Sequence, residues 1–331
     1  MRLHFKTIIG AVITGSCLML NPTALAHEGP EHEIDDLTAR IKAEGESPDL
    51  LLQRAIEYNV LKNGAEAVKD LERALEFDSH SAAIQRELSR AYYSIGKTNE
   101  AFDAVSRGLK YASDGPEKAS LLILRCEILR ARKDYQKALE DADKAIREYP
   151  DNAECYLTRS LLQQQLGLKK ERLKGLEDGI KETGSGLLEA ERVDALIDGG
   201  KAELALEKIE AELKESRLRS SWLIRRAKAQ LALKNNAEAK ADLKEAIEEL
   251  NERIGRFAHD PLLLADRGVA HELLGKKDEA KKDYEEAKKR GCTDEWLSER
   301  LRVFKEADDK KKGGDKKQDE HKDAAPDSDP P

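Results

Sequence analysis

Tyr135-Gln136-Lys137-Ala138-Leu139-Glu140-Asp141-Ala142 sets two small residues one helical turn apart, and Ala145 continues the same face. Small residues on one helix face let a second helix approach closely. Ala138 is also one member of a series: Ala67, Ala101, Ala138, Ala205, Ala239 and Ala280 recur, with steps between neighbouring repeats close to 34 residues except the last, which is 41. Each of these alanines opens a similar helical stretch. Self-similarity at such a period means stacked two-helix units, each of which buries its apolar face only against its neighbours.

Working outward from Ala138, the units can be written in register. The first runs from about Pro48 to Ser79, with Tyr58 late in its first helix (A) and Ala67, Leu71 and Ala74 along its second (B). The second carries Tyr92, Gly96, Ala101, Val105 and Gly108 at matching offsets, and the third Leu129, Ala138, Ala142, Ala145 and Pro150. The fourth departs, because Arg172 stands at the small-residue position while Gly167, Leu176 and Gly179 fit. The fifth has Leu196, Gly200, Ala205 and Ile209, with Glu212 where a small residue is expected. Ala227, Ala239, Leu243 and Ala246 mark the sixth, and Gly268, Gly275, Ala280, Tyr284 and Ala287 the seventh. The stretch after Ala246 is longer than one unit, so its helix is expected to continue through Arg253 toward Phe257 and to project beyond the stack or splay the last repeat.

The pattern resembles the tetratricopeptide repeat: a large residue in helix A, Gly near the turn, and Ala-x3-aromatic-x2-Ala in helix B. Ala280, Tyr284 and Ala287 fit it well, as does Gly275-Lys276-Lys277-Asp278-Glu279-Ala280. The resemblance covers about 48–290 and implies an all-α, right-handed superhelical solenoid of about seven helix-turn-helix repeats, of the exported bacterial type, with a capping helix at each end. It further implies a concave groove lined by helix A residues that binds protein or peptide segments. Carried over by position, the groove includes Leu52, Ile56 and Asn59, then Arg86, Arg90 and Tyr93, then Ile123, Glu127 and Arg130. Leu157, Leu161 and Gln164 follow, then Ala190, Asp194 and Ile197, then Ile224, Lys228 and Leu231. The partner-binding candidates drawn from these are Arg86, Arg90, Tyr93, Arg130, Leu157, Leu161 and Gln164. A basic cluster of Arg86, Arg90 and Arg130 among aliphatics suits an amphipathic or acidic segment. Leu52 and Ile56 stand where some family members place a Lys/Asn clamp for a chaperone's C-terminal carboxylate, which disfavours that role.

The first residues indicate export. Arg2 and Lys6 form a positive leader, Thr7 to Leu20 is apolar, and Ala24-Leu25-Ala26 is a small-residue cleavage site. The expected organisation is a signal peptide over 1–26, an N-terminal segment with its capping helix over 27–47, and the solenoid over 48–290. A C-terminal capping helix over 291–305 and a charged, disordered tail over 306–331 complete it. Ile34, Leu37 and Ile41 mark the first cap and Trp296, Leu297, Leu301 and Phe304 the second. No later stretch is long and apolar enough to cross a bilayer, so the mature protein is expected in the periplasm or outside the cell.

Charge and motif content exclude several classes. Loss of Arg2 and Lys6 takes the net charge from −8 to about −10, the wrong sign for phosphate contacts with nucleic acid. No phosphate loop, dinucleotide fingerprint, nucleophile elbow or zinc spacing occurs, so no enzyme activity and no cofactor are expected. Glu248-Glu249 and Glu285-Glu286 read as solvated helix faces, and His271, in the place of Tyr58 and Tyr92, as a packing residue. Cys126, Cys155 and Cys292 remain after cleavage, an odd number that requires a free thiol or an intermolecular bridge. Cys126 and Cys155 are candidates for a pair, and the simpler expectation is that the cysteines fill helix contacts. The alternative function is metal handling by a mature N-terminus at His27, with His32 nearby.

Overall fold

The structure, a computed structural model, describes residues 29–257, 260–292 and 296–307, which are helical apart from short turns. The chain divides into two compact units, one ending at Ala112 and one beginning at Ser113. The first contains α1 (Pro30–Glu44), α2 (Pro48–Val60), α3 (Gly64–Phe77), α4 (Ala82–Ser94) and α5 (Thr98–Tyr111). The second contains α6 (Pro116–Ala131), α7 (Tyr135–Glu148), α8 (Ala153–Gln165), α9 (Lys169–Thr183), α10 (Gly186–Asp198) and α11 (Ala202–Glu215). It continues with α12 (Ser220–Ala232), α13 (Asn236–Arg256), α14 (Pro261–Leu273) and α15 (Lys277–Lys289), then α16 over 296–307. The signal segment, His27, His259 and the charged tail from 308 onward lie outside the described residues, while 306 and 307, expected in the tail, continue α16.

Local chemistry sets the helix ends. Several A helices start on a side-chain cap: Ser47, Ser81, Asn152 and Asp260 accept from Leu50, Ile84, Glu154 and Leu262 respectively, and Pro48 and Pro261 fill positions that need no donor. Helix A ends on the same turn in every repeat. A left-handed residue follows it, Gly at 96, 167, 200 and 275 and Lys at 62, 133 and 234. The next residue's N–H then reaches back to the last turn of helix A, as in Asn63 to Tyr58 (2.8 Å), Leu168 to Gln163 (2.8 Å) and Lys276 to His271 (2.9 Å). This Schellman closure satisfies the terminal carbonyls of helix A and reverses the chain.

The first unit closes on Leu51, Ala55, Ala67, Leu71, Ala74, Ile84, Leu88 and Ala91. Leu37 of α1 is buried and Ile41 packs on that core, so α1 covers the outer face of α2. In the second unit successive cores follow one another, from Tyr156, Leu176 and Leu188 through Val193, Ala205 and Ile209 to Leu243, Ala246 and Leu250. The last core joins Leu264, Ala280, Tyr284 and Leu297, with Leu301 and Phe304 of α16 against it. Tyr284 is fully buried and lies over Gly268, where an added Cβ would come within 2.4 Å of the ring.

One polar device recurs inside the repeats. An Arg of helix A grips an Asp of helix B sixteen residues later through two hydrogen bonds in Arg54–Asp70, Arg125–Asp141, Arg226–Asp242 and Arg267–Asp283, all between 2.6 and 3.0 Å. Such a fork aligns the two helices as well as pairing their charges. The second repeat has Leu88 and Ala104, both buried, at the two positions. In the fourth, Arg159 donates to the Gly175 carbonyl instead (2.9 Å).

Two expectations change. The extended end of α13 does not project: Leu250 is buried, Ile254 packs on two adjoining cores, and Asn251 accepts from Arg267 of α14 (2.8 Å). Glu249 is not simply a solvated acid, since it takes the Arg219 backbone N–H (3.0 Å) and the Ser220 hydroxyl (3.1 Å) at the start of α12. Cys126, Cys155 and Cys292 are buried and none is in a disulfide, which leaves no bridge between Cys126 and Cys155. Among the described residues no helix is long and apolar enough to cross a membrane.

Candidate functional site

In the second unit successive A helices touch, α6 with α8, α8 with α10, α10 with α12 and α12 with α14. Successive B helices show no comparable packing among the described residues. A stack that is closer on its A side curves toward that side, so the A helices line its inner face. Three groups of side chains stand on A-helix faces in the two units.

In the first unit Arg86 is half-buried and Arg90 exposed on α4, with Tyr93 half-buried one turn on. Both guanidinium groups donate to one oxygen of Glu87, at 3.0 and 2.9 Å. Glu87 is itself buried, so the pair carries less net charge than its sequence suggests. Arg130 belongs to the second unit, half-buried at the end of α6.

Leu157 and Leu161 of α8 are half-buried and Gln164 is exposed, donating to Asp198 of α10 (3.1 Å). Behind them lies the departure of the fourth repeat. Arg172 occupies the small-residue position and is buried, but it does not act as a packing defect. It donates to Glu191 (2.7 Å), Asp198 (2.9 Å) and Ser160 (3.0 Å), fastening α9 to α8 and α10. Gln164, Lys169, Arg172 and Asp198 border an open pocket of about 280 Å³. Every charge in it has a partner: Lys169 is held by the Asp198 carbonyl (2.8 Å).

A further pocket of about 240 Å³ opens among α12, α14 and α16, lined by Ser221, Ile224, Arg225, Lys228, Asp266, Val269 and Trp296. Arg225 donates to Asp194 of α10 (2.9 Å) and to the Ser221 carbonyl (3.3 Å), and its guanidinium lies 5.5 Å from the Trp222 ring centre. The Lys228 ammonium is 3.6 Å from the other Asp194 oxygen. Burial pushes the Asp266 carboxyl above the usual carboxylate range, although Arg225, Arg253 and Lys228 pull it down. Asp194, Ile224 and Lys228 were legible as groove positions. Asp266, Val269 and Trp296 were not, because Trp296 comes from the cap and faces a groove only once α16 has folded back.

His271 packs as expected and also binds, its Nδ1 lying 3.1 Å from Asp283. Among the described residues no three His, Cys, Asp or Glu side chains gather as a metal site, and His32 lies 3.8 Å from Asp36.

The comparisons agree with this geometry. Residues 263–290, α14 and α15, match the tetratricopeptide-repeat family model. A tetratricopeptide repeat protein from Parabacteroides merdae superposes with a TM-score of 0.57, covering 77% of this chain and 98% of its own at 18% identity. The C-terminal part of a tetratricopeptide repeat-containing protein from Cytophaga hutchinsonii gives 0.52 over 75% of this chain and 98% of its own at 14% identity. No curated protein matches the sequence at a significant level. The seventh repeat thus matches a tetratricopeptide repeat in sequence, and the helices as a whole have the fold of tetratricopeptide-repeat proteins.

Proposed function

We propose that the protein is a non-catalytic scaffold that holds segments of other proteins on its A-helix faces. The observation that carries this is the state of the inner face in the second unit. Leu157 and Leu161 remain half-exposed beside polar Gln164, and the α12–α14–α16 pocket is open to solvent. Apolar surface left uncovered beside charges is what a peptide partner uses for anchoring and orientation. Arg86, Arg90 and Tyr93 of the first unit and Arg130 of the second are further contact residues in this reading. The leader at 1–26 supports export, with the scaffold acting in the periplasm or outside the cell.

Affinity capture after crosslinking in the native envelope fraction tests it. Wild-type bait is compared with Arg86→Glu/Arg90→Glu and with Leu157→Asp/Leu161→Asp, all checked for unchanged helicity. A partner lost from either variant supports the reading. Equal capture by all three, or nothing beyond an unrelated bait, overturns it.

A further inference from the structure

The α12–α14–α16 pocket contains a carboxylate that no protein donor reaches among the described residues. Asp266 is half-buried, and among the described residues no hydrogen bond or ion pair reaches it. A partly desolvated carboxylate without protein donors costs free energy in the free protein, and a donor brought by a ligand lowers that cost. The two cations on the same wall are spoken for, because Arg225 and Lys228 both lie on Asp194. An incoming anion would have to displace Asp194, whereas an incoming cation meets Asp266, and the nearby Arg225, Lys228 and Arg253 are already paired with Asp194 and Glu249.

The remaining walls narrow the ligand. Ile224, Val269 and the partly exposed indole of Trp296 are apolar. A volume of about 240 Å³ is below that of sites for whole small-molecule ligands and matches one long side chain. Lys and Arg combine an apolar stem with a charged head, so the stem can lie on Ile224, Val269 and Trp296 while the head meets Asp266. Proximity of a cation to an indole adds to the attraction.

We propose that this pocket receives a lysine or arginine side chain of a bound protein segment, with Asp266 as its counter-ion and Trp296 as its wall. The assignment rests on the scaffold reading and refines it: the C-terminal cap would then be part of the recognition surface.

The test uses the full chain in a Trp222→Phe background, which leaves Trp296 as the sole tryptophan. Its emission is followed during titration with three acetylated, amidated peptides, Gly-Leu-Xaa-Leu-Gly with Arg, Gln or Glu at the centre. The Arg peptide is expected to bind saturably and about tenfold more tightly than the Gln peptide, with Glu weakest, and Asp266→Asn should lower Arg affinity about tenfold while sparing Gln. Circular dichroism verifies that the variant is folded. Tightest binding of the Glu peptide, equal binding of all three, no saturable response, or indifference to Asp266→Asn would each overturn the assignment. None of these outcomes touches partner capture by the full chain, which tests the scaffold reading separately.

Discussion

The Arg125 guanidinium faces both carboxylate oxygens of Asp141, at 2.6 and 2.8 Å, from the opposite helix of the same repeat. Asp141 is almost wholly buried and Arg125 half-buried. The second repeat, with Leu88 and Ala104 at these positions, shows that the fold accepts an apolar substitute. Removing Arg125 leaves buried Asp141 only the exposed Lys144 ammonium (3.2 Å), while replacing both fork residues removes two desolvation penalties at once. Arg125→Ala should therefore destabilise α6 and α7 by about 3 kcal/mol. Arg125→Leu with Asp141→Ala should stay within about 1 kcal/mol of wild type. Hydrogen exchange of the α6 and α7 amides measures both, because a stack of repeats can open locally. A double variant as unstable as the single one would contradict the argument.

The turns offer a stabilising change. Lys62, Lys133 and Lys234 hold φ of 59°, 63° and 66° where the other repeats have glycine. A side chain in that region clashes with its own backbone, and glycine does not. Each Lys→Gly replacement should raise stability by about 0.5–1 kcal/mol, the relief of strain exceeding the added freedom of the unfolded chain. Urea midpoints of the three single variants check this. Lower midpoints in all three would show that unfolded-state entropy dominates.

Cysteine chemistry gives an independent check on packing. Burial pushes the Cys155 thiol up to about 11 and the Cys126 thiol higher still, with Asp141 adding to the shift at Cys126. The nucleophile is the thiolate, so at pH 8 both residues should resist a maleimide or iodoacetamide until the chain unfolds. Peptide mapping after brief labelling, with and without guanidinium, separates the cases. Native labelling of Cys126 would mean that the α6–α7 core opens freely.

The repeats were legible because the packing repeats: Ala67, Ala101, Ala138, Ala205, Ala239 and Ala280 all fall where two helices touch, and each is buried. The Arg–Asp fork was equally present in the sequence as a recurring sixteen-residue spacing. It hid because charged residues abound in this chain, at 37% of the total, and only burial separates four structural pairs from a solvated background. Arg172 was visible as an exception but not as a clamp, since its partners Glu191 and Asp198 come from the following repeat. The same holds for the pocket. Asp266 and Trp296 sit thirty residues apart on helices α14 and α16, and no local spacing announces that they line one cavity.

Asp266 also predicts an unusual pH response. Its carboxyl is raised above the ordinary range by burial, with Arg225 and Lys228 of α12 and Arg253 of α13 opposing the shift and Asp260 adding to it. A carboxyl whose folded value is raised favours folding while protonated and loses that contribution as pH rises through the folded value. At pH 7, above the unfolded value, this carboxyl therefore costs stability, and Asn, which cannot ionise, avoids the cost. Asp266→Asn should make the free protein more stable than wild type at pH 7. The advantage should shrink as pH falls and vanish below about 4, the value of an unperturbed Asp, where both folded and unfolded wild type carry the proton. Parallel urea titrations of the two proteins between pH 4 and 8 measure the difference directly. A variant less stable than wild type at pH 7 would mean that Arg225, Lys228 and Arg253 outweigh desolvation, and that the carboxylate is already satisfied before any ligand arrives.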